Sequence, residues 1–283
     1  MIPAVAASRN GRLVSIASRD TDRARHLASK HAFARAGSSY DAVLDDREVD
    51  AVYIPLVNSL HREWTVRALS AGKHVLCEKP MAMNANEAED MAAAAKRTGL
   101  HLMEAFMYRF HPRIRGFIES VRNPLYVHAR FGFTLGRPAD YRMQSSLGGG
   151  ALLDIGCYTV NAARWILGEP SHVFAHARVE GGVDMTTGAM LEFPGERIAA
   201  IWVSFESAEG QELTVVTTEG VNRLEFPFNT REQPDPYQLM VESFGDSIID
   251  DVPVAIPPEE SIANMAVLDR IREAAQAVGR VSA

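Results

Sequence analysis

Residues 74–80 read His74-Val75-Leu76-Cys77-Glu78-Lys79-Pro80, an apolar run of strand character that stops at Glu-Lys-Pro. In an open α/β sheet the active site lies outside the carboxyl ends of the strands. Pro80 has a fixed φ and biases Lys79 towards an extended backbone. The motif therefore reads as one cation aimed into a crevice, with a surface lysine at a strand end as the plainer alternative.

Working outward, the first hundred residues alternate strand and helix. Strand-like runs occupy Leu13–Arg19, Val49–Pro55, His74–Cys77 and His101–Ala105. Helical stretches fill the gaps at Asp22–His31, Tyr40–Asp45, His61–Ala71 and from Asn84 to about Thr98. Asp20 stands as a cap, Asn84-x-x-Glu87 has capping-box spacing, and Gly72 and Gly99 stand where helices stop. Strands separated by helices predict right-handed crossovers and a parallel sheet.

The pattern then changes. Leu125, Val127, Ala129, Phe131 and Phe133 alternate with His128, Arg130 and Gly132, which suits a sheet with unlike faces. A helix over Ala151–Leu167 follows, then strand runs at Val173–Glu180, Thr186–Phe193, Ile198–Phe205, Leu213–Thr218 and Asn222–Phe226. A closing helix over Pro258–Val278 carries Ile262, Met265, Leu268, Ile271, Ala275 and Val278 on one stripe. The expected fold class is α/β: a Rossmann-type parallel domain over 1–104, truncated at its first strand, and an α+β domain over 105–283 with a largely antiparallel open sheet.

Composition narrows the function. The chain has 283 residues, 47% hydrophobic and 23% charged, as a globular protein does. A net charge of −7 gives no support for a nucleic-acid partner. No apolar run approaches the ~20 residues of a membrane helix. The two cysteines, Cys77 and Cys157, fall in no Cys-x-x-Cys or Cys/His cluster, so reduced thiols in a cytoplasmic protein without a metal site are expected.

Five constellations carry candidate chemistry. Lys79 would bind substrate hydroxyls and favour ionisation of a neighbouring acid. Asp154 and Tyr158 stand at i and i+4 of a helix and so share a face. Asp154 would orient a hydroxyl while Tyr158 exchanges its proton, a nearby ammonium pulling the phenol below its usual pKa of about 10. A capping aspartate beside a half-buried tyrosine is the structural alternative. Gly148-Gly149-Gly150 is either a flexible connector or a place where backbone passes close to a ligand. Ser18-Arg19 ends the first strand, where a serine and an arginine favour the 2′-phosphate of NADP and an acid would favour NAD. Pro55, Asn58 and His61 follow the second strand, where Asn58 would bond a ribose or amide. Glu104–Pro112 follows the last, its aromatic and basic residues lining an interdomain cleft or packing between domains.

Taken together, Cys77-Glu78-Lys79-Pro80, Glu104-Ala105-Phe106-Met107-Tyr108-Arg109 and Gly148–Tyr158, in this order, resemble the glucose–fructose oxidoreductase / inositol dehydrogenase (Gfo/Idh/MocA) family. The similarity is greatest to its NADP-linked D-xylose 1-dehydrogenase and trans-dihydrodiol dehydrogenase branch. It implies reversible hydride transfer between NADP (NAD as the alternative) and a carbinol carbon of a sugar, polyol or trans-diol. It implies catalytic roles for Lys79, Asp154 and Tyr158, the last standing where other branches carry histidine. It implies cofactor contacts from Ser18, Arg19, Pro55, Asn58, His61, Glu78 and Lys79. It also implies a homodimer or homotetramer assembled through the second domain's sheet.

Family members open with a strand and a Gly-x-Gly-x-x-Gly/Ala loop. Here Ile2-Pro3-Ala4-Val5 reads as the helix after that loop, and Gly11 is the only glycine before residue 37. The expectation is a start ~20–30 residues upstream, the length of a dinucleotide-binding βα unit. Two rival readings accompany the dehydrogenase: a cofactor-poor binding or regulatory protein, and an NAD-using glycosidase.

Overall fold

Several helices here begin where a side chain takes over the free N–H groups of the first turn. In the computed structural model, which describes residues 1–136, 139–230 and 232–281, Asp20 accepts from the N–H groups of Asp22 and Arg23, and Asn84 from Glu87 N–H. The side chains of 278–281, and so the Val278 of the apolar stripe, lie outside the described set.

The first unit runs α1 (Ile2–Ala7), β1 (Ser15–Ile16), α2 (Thr21–His31), β2 (Arg35–Ala36), α3 (Tyr40–Leu44), β3 (Ala51–Ile54), α4 (His61–Ser70), β4 (His74–Cys77), α5 (Ala85–Thr98) and β5 (Leu102–Glu104). All its strand pairs are parallel. They form two pieces, β1–β2 and β3–β4–β5, so among the described residues β1 and β3 each keep an unpaired edge. Strand β4 lies between β3 and β5 with Val75, Leu76 and Cys77 buried, which explains its unbroken apolar run. Gly99 ends α5 at φ 68°, a left-handed position that glycine occupies without strain.

The second unit holds α6 (Pro112–Ser120), β6 (Pro124–Thr134), α7 (Cys157–Leu167), β7 (His172–Glu180), β8 (Val183–Phe193), β9 (Arg197–Ser204), β10 (Glu206–Thr217), β11 (Val221–Glu225), α8 (Pro236–Ile249) and α9 (Pro258–Val281). Its six strands are ordered β11-β10-β6-β9-β8-β7. The sheet is mixed: β6 and β9 pair in parallel and every other pair is antiparallel. Val127 and Ala129 point into the core while His128 and Arg130 stay partly exposed, so the period-2 pattern reports the two faces. Helix α7 covers the inner face on β6 and β9, and α9 packs on α7, on β7 and on α5 of the first unit.

Side-chain ties at both ends of the chain fix one unit on the other. Asp269 of α9 accepts the Ala85 N–H at 2.8 Å, and Arg272 donates to the Met83 carbonyl. At the other end of the chain, Asn10 donates to the Glu242 carbonyl and to Asp246 of α8. The buried apolar residues of both units join through Phe106, Tyr108, Phe131, Tyr158 and Phe228, whose rings meet edge-on, tilted or stacked. Phe106 and Tyr108 are fully buried, so the run after β5 packs between the units. Arg109 is likewise absorbed, lying over the Trp165 ring and pairing with Glu260.

Candidate active site

Lys79 leaves the end of β4, and its ammonium crosses to the second unit. Nζ donates to Asp154 Oδ1 at 2.9 Å and to the Asp154 carbonyl at 2.8 Å, and stands 5.0 Å from the centroid of the Tyr158 ring. The three predicted catalytic residues are therefore brought together. Asp154 lies in a π-helical turn, Leu152–Gly156, that precedes α7, and Tyr158 lies in the first turn of α7 itself. Such wide turns are frequent at functional sites.

Arg142 is a fourth member that the sequence reading did not include. Its Nε donates to Asp154 Oδ2 at 2.7 Å, and it also pairs with Asp140. It belongs to a short 3₁₀ turn, Tyr141–Met143, where no periodicity or motif marks it. Asp154 thus has one cation on each carboxylate oxygen. Burial raises its pKa, but Lys79 and Arg142 outweigh that and hold the carboxyl below its usual range. Burial likewise works against the Lys79 ammonium, yet Asp154 keeps its pKa well above the usual lysine value.

Tyr158 corrects the sequence expectation. Its ring is buried among aromatic side chains, and its hydroxyl faces the Met107 sulfur at 3.7 Å. Burial pushes the phenol well above its ordinary pKa, and the opposing pull of Lys79 is weaker. The Lys79 ammonium stands 5.0 Å from the ring centroid and makes no hydrogen bond to the phenol. In this geometry Tyr158 keeps its proton.

The triple glycine is a packing device. Gly148 has φ 83°, and a Cβ there would stand 2.5 Å from Asn58 Cβ. A Cβ on Gly149 would stand 2.4 Å from the Arg142 carbonyl oxygen, a backbone atom that cannot swing aside. The run lets the Asn58 loop and the Arg142 turn close on the start of the π turn. Asp184 of β8 completes this support by accepting the Leu152 N–H at 2.7 Å.

The expected cofactor residues separate into two kinds. Pro55 is exposed after β3, and Ser18 and Arg19 lie beyond β1 with Arg19 exposed. Glu78 accepts from the Tyr53 hydroxyl and from the Lys79 N–H. Asn58 and His61, by contrast, are turned inward. Asn58 is buried and donates to the Gly148 carbonyl at 2.8 Å. His61 is fully buried, with Nδ1 2.9 Å from the Pro80 carbonyl and Nε2 2.9 Å from the Leu56 carbonyl, so it offers no free nitrogen to a cofactor. Nothing in a lone histidine at a helix start distinguishes that role from a ligand's. Among the described residues no group of three or more His, Cys, Asp or Glu is placed to hold a metal. No described helix is long and apolar enough to cross a membrane.

Two family descriptions match the chain: an oxidoreductase family with an NAD-binding Rossmann fold over residues 1–106, and a GFO/IDH/MocA C-terminal domain over residues 122–223. A D-xylose 1-dehydrogenase (NADP(+)) of Haloferax volcanii is 36% identical over 98% of this chain and 93% of its own length. A trans-1,2-dihydrobenzene-1,2-diol dehydrogenase of Xenopus laevis is 34% identical over 74% of this chain and 66% of its own. A 3-ketoreductase from Actinomadura kijaniata, solved with NADP and TDP-benzene, superposes with a TM-score of 0.85 at 28% identity, covering 96% of this chain and 92% of that one. With both family descriptions falling on the two units that meet at Lys79 and Asp154, the chain belongs to the Gfo/Idh/MocA family of oxidoreductases.

Proposed function

We propose that the protein is an NADP-dependent dehydrogenase or reductase acting on a carbinol carbon of a sugar, polyol or trans-diol. The observation that carries this reading is the Lys79–Asp154 contact at 2.9 Å beside Tyr158, at the carboxyl end of a parallel strand and built from both units. It is supported by relatives that act on D-xylose and on a dihydrodiol. Residues 1–104 would carry the cofactor and 105–283 the substrate.

The residues at the carboxyl strand ends fit a dinucleotide. Ser18 and Arg19 offer a hydroxyl and a cation suited to a 2′-phosphate. The neighbouring Asp20 caps α2 with one of its carboxylate oxygens. Pro55 and Glu78 would flank the nucleotide, with Asn58 and His61 shaping that wall from behind. The bound cofactor supplies or accepts the hydride.

Asp154, kept ionised, accepts a hydrogen bond from a substrate hydroxyl and fixes its orientation. Lys79, kept as an ammonium, donates to the reacting oxygen and stabilises the negative charge that develops there. Tyr158, kept protonated, gives its phenolic proton to that oxygen when a carbonyl is reduced and receives it back when an alcohol is oxidised.

A homo-oligomer would form through the outer face of the six-stranded sheet. There Phe174 (57% exposed) pairs with Met190 (48% exposed), and the row continues to Ala200 and His128. Light scattering tests the oligomer. The activity is tested by NADP+ reduction over a panel of aldoses, polyols and trans-diols. Firm NADPH binding without turnover on any of them would overturn the proposal.

A further inference from the structure

The peptide group joining Pro80 to Met81 lies one residue beyond Lys79, and both its polar atoms are held by buried ionisable side chains. Its carbonyl faces His61 Nδ1 of α4 at 2.9 Å, and its N–H donates to Glu104 Oε1 of β5 at 2.8 Å. His61, Met81 and Glu104 are each at most 1% exposed. We infer that His61 and Glu104 are positioning residues for Lys79, gripping this peptide from both ends and so fixing the backbone from which the ammonium reaches Asp154. The inference rests on the reading of Lys79 as catalytic.

Glu104 is a costly residue to keep in this place. Burial pushes its carboxyl up to about 7, and its second oxygen, Oε2, has only the buried Ser261 hydroxyl of α9 beside it, a contact that offsets the burial in part. An apolar side chain of the same size would avoid that cost but would leave the Met81 N–H buried and unpartnered. Its hydrogen bond from the Met81 N–H is therefore the reason for its presence. His61 shows the same economy. Burial lowers its pKa, and a neutral imidazole has one N–H to share between two carbonyls. The grip assigns that proton to Nδ1, donating to the Pro80 oxygen.

Conservative and disruptive variants separate positioning from packing. Asn at 61 places its amide where Nδ1 stands and keeps the donor to Pro80, whereas Gln places it where Nε2 stands and loses it. Gln at 104 keeps the acceptor for Met81, whereas Leu removes it. With NADP+ and D-xylose, His61→Gln and Glu104→Leu are expected to lose about ten- to a hundredfold in kcat, with KM for NADP+ moving less than about twofold. His61→Asn and Glu104→Gln are expected to recover most of that loss. Crystal structures of the four variants read the Lys79 Nζ–Asp154 Oδ1 distance, 2.9 Å here, without any substrate. A wild-type protein inactive on every polyol defeats the functional reading alone, and those structures still decide the grip. If Glu104→Leu does not fold, the His61 pair decides. Equal turnover of His61→Asn and His61→Gln, or an undisplaced Lys79 in His61→Gln, would overturn the inference.

Discussion

The Lys79 cluster and the Ser18–Arg19 edge each follow a strand of a parallel sheet, and they are built in opposite ways. At Lys79 the charges are buried, and Asp154 meets a cation on each oxygen. At Arg19 the guanidinium is exposed, on a sheet piece of only two short strands. The first region is arranged before any ligand arrives, because a buried charge without a partner is too costly to leave unfixed. The second can wait for its ligand, since water solvates an exposed arginine at little cost. The buried cluster is pre-organised, and the exposed edge is not.

That contrast breaks first if the buried cluster tolerates change. Tyr158→Phe removes only the hydroxyl, and kcat is expected to fall by about 10²–10⁴ with NADPH affinity unchanged. Near-normal turnover would remove Tyr158 from the mechanism. Lys79→Met removes the ammonium, with an expected loss of about 10²–10³ in kcat. Fluorescence titration with NADPH alongside steady-state kinetics checks both. Arg142→Leu probes the flank that leaves Lys79 in place. A fall of about tenfold is expected, because Asp154 keeps one of its two cations.

The exposed edge is expected to respond differently. Arg19→Ala should weaken NADP+ binding by about ten- to a hundredfold, the worth of one charge-assisted hydrogen bond, and leave NAD+ binding and kcat nearly as they were. Equal loss for both cofactors would place Arg19 elsewhere than at the 2′-phosphate. Rising salt should reproduce part of the effect at Arg19 and little of it at Lys79, since solvent screens the exposed charge far more than the buried one.

The same division decides what was legible in the sequence. Strand β4 is found residue for residue, because burial on both faces writes itself as an unbroken apolar run. The partners of Lys79 are found because Asp154 and Tyr158 stand four residues apart in a distinctive glycine-led segment. Strand β2 is not, since Arg35–Ala36 is short and exposed and carries no pattern. Helix α8 is missed although its signal is present: Asp235 caps it and Pro236 opens it. Helix α6 likewise begins at Pro112 behind a capping His111. The state of Tyr158 is the instructive failure. Spacing places a lysine near a tyrosine, but only packing shows that burial outweighs the lysine.

The comparison can also be sharpened from the stability side. Glu104 lies in the pre-organised region, and burial raises its carboxyl from the usual 4.5 to about 7. The folded state therefore holds this proton more tightly than the unfolded chain does. Its favourable contribution is fully present below about pH 4.5 and is lost as pH rises through about 7. The span corresponds to about 3 kcal/mol at most. Glu104→Gln keeps the acceptor for Met81 and removes the titration. Denaturant unfolding of both proteins across pH should give curves that diverge between about pH 4.5 and 7, the variant gaining relative to wild type, and run parallel above about pH 8. Parallel curves throughout would mean that water reaches the carboxylate, and that this side of the Lys79 strap is as solvated as the arginine edge it is set against.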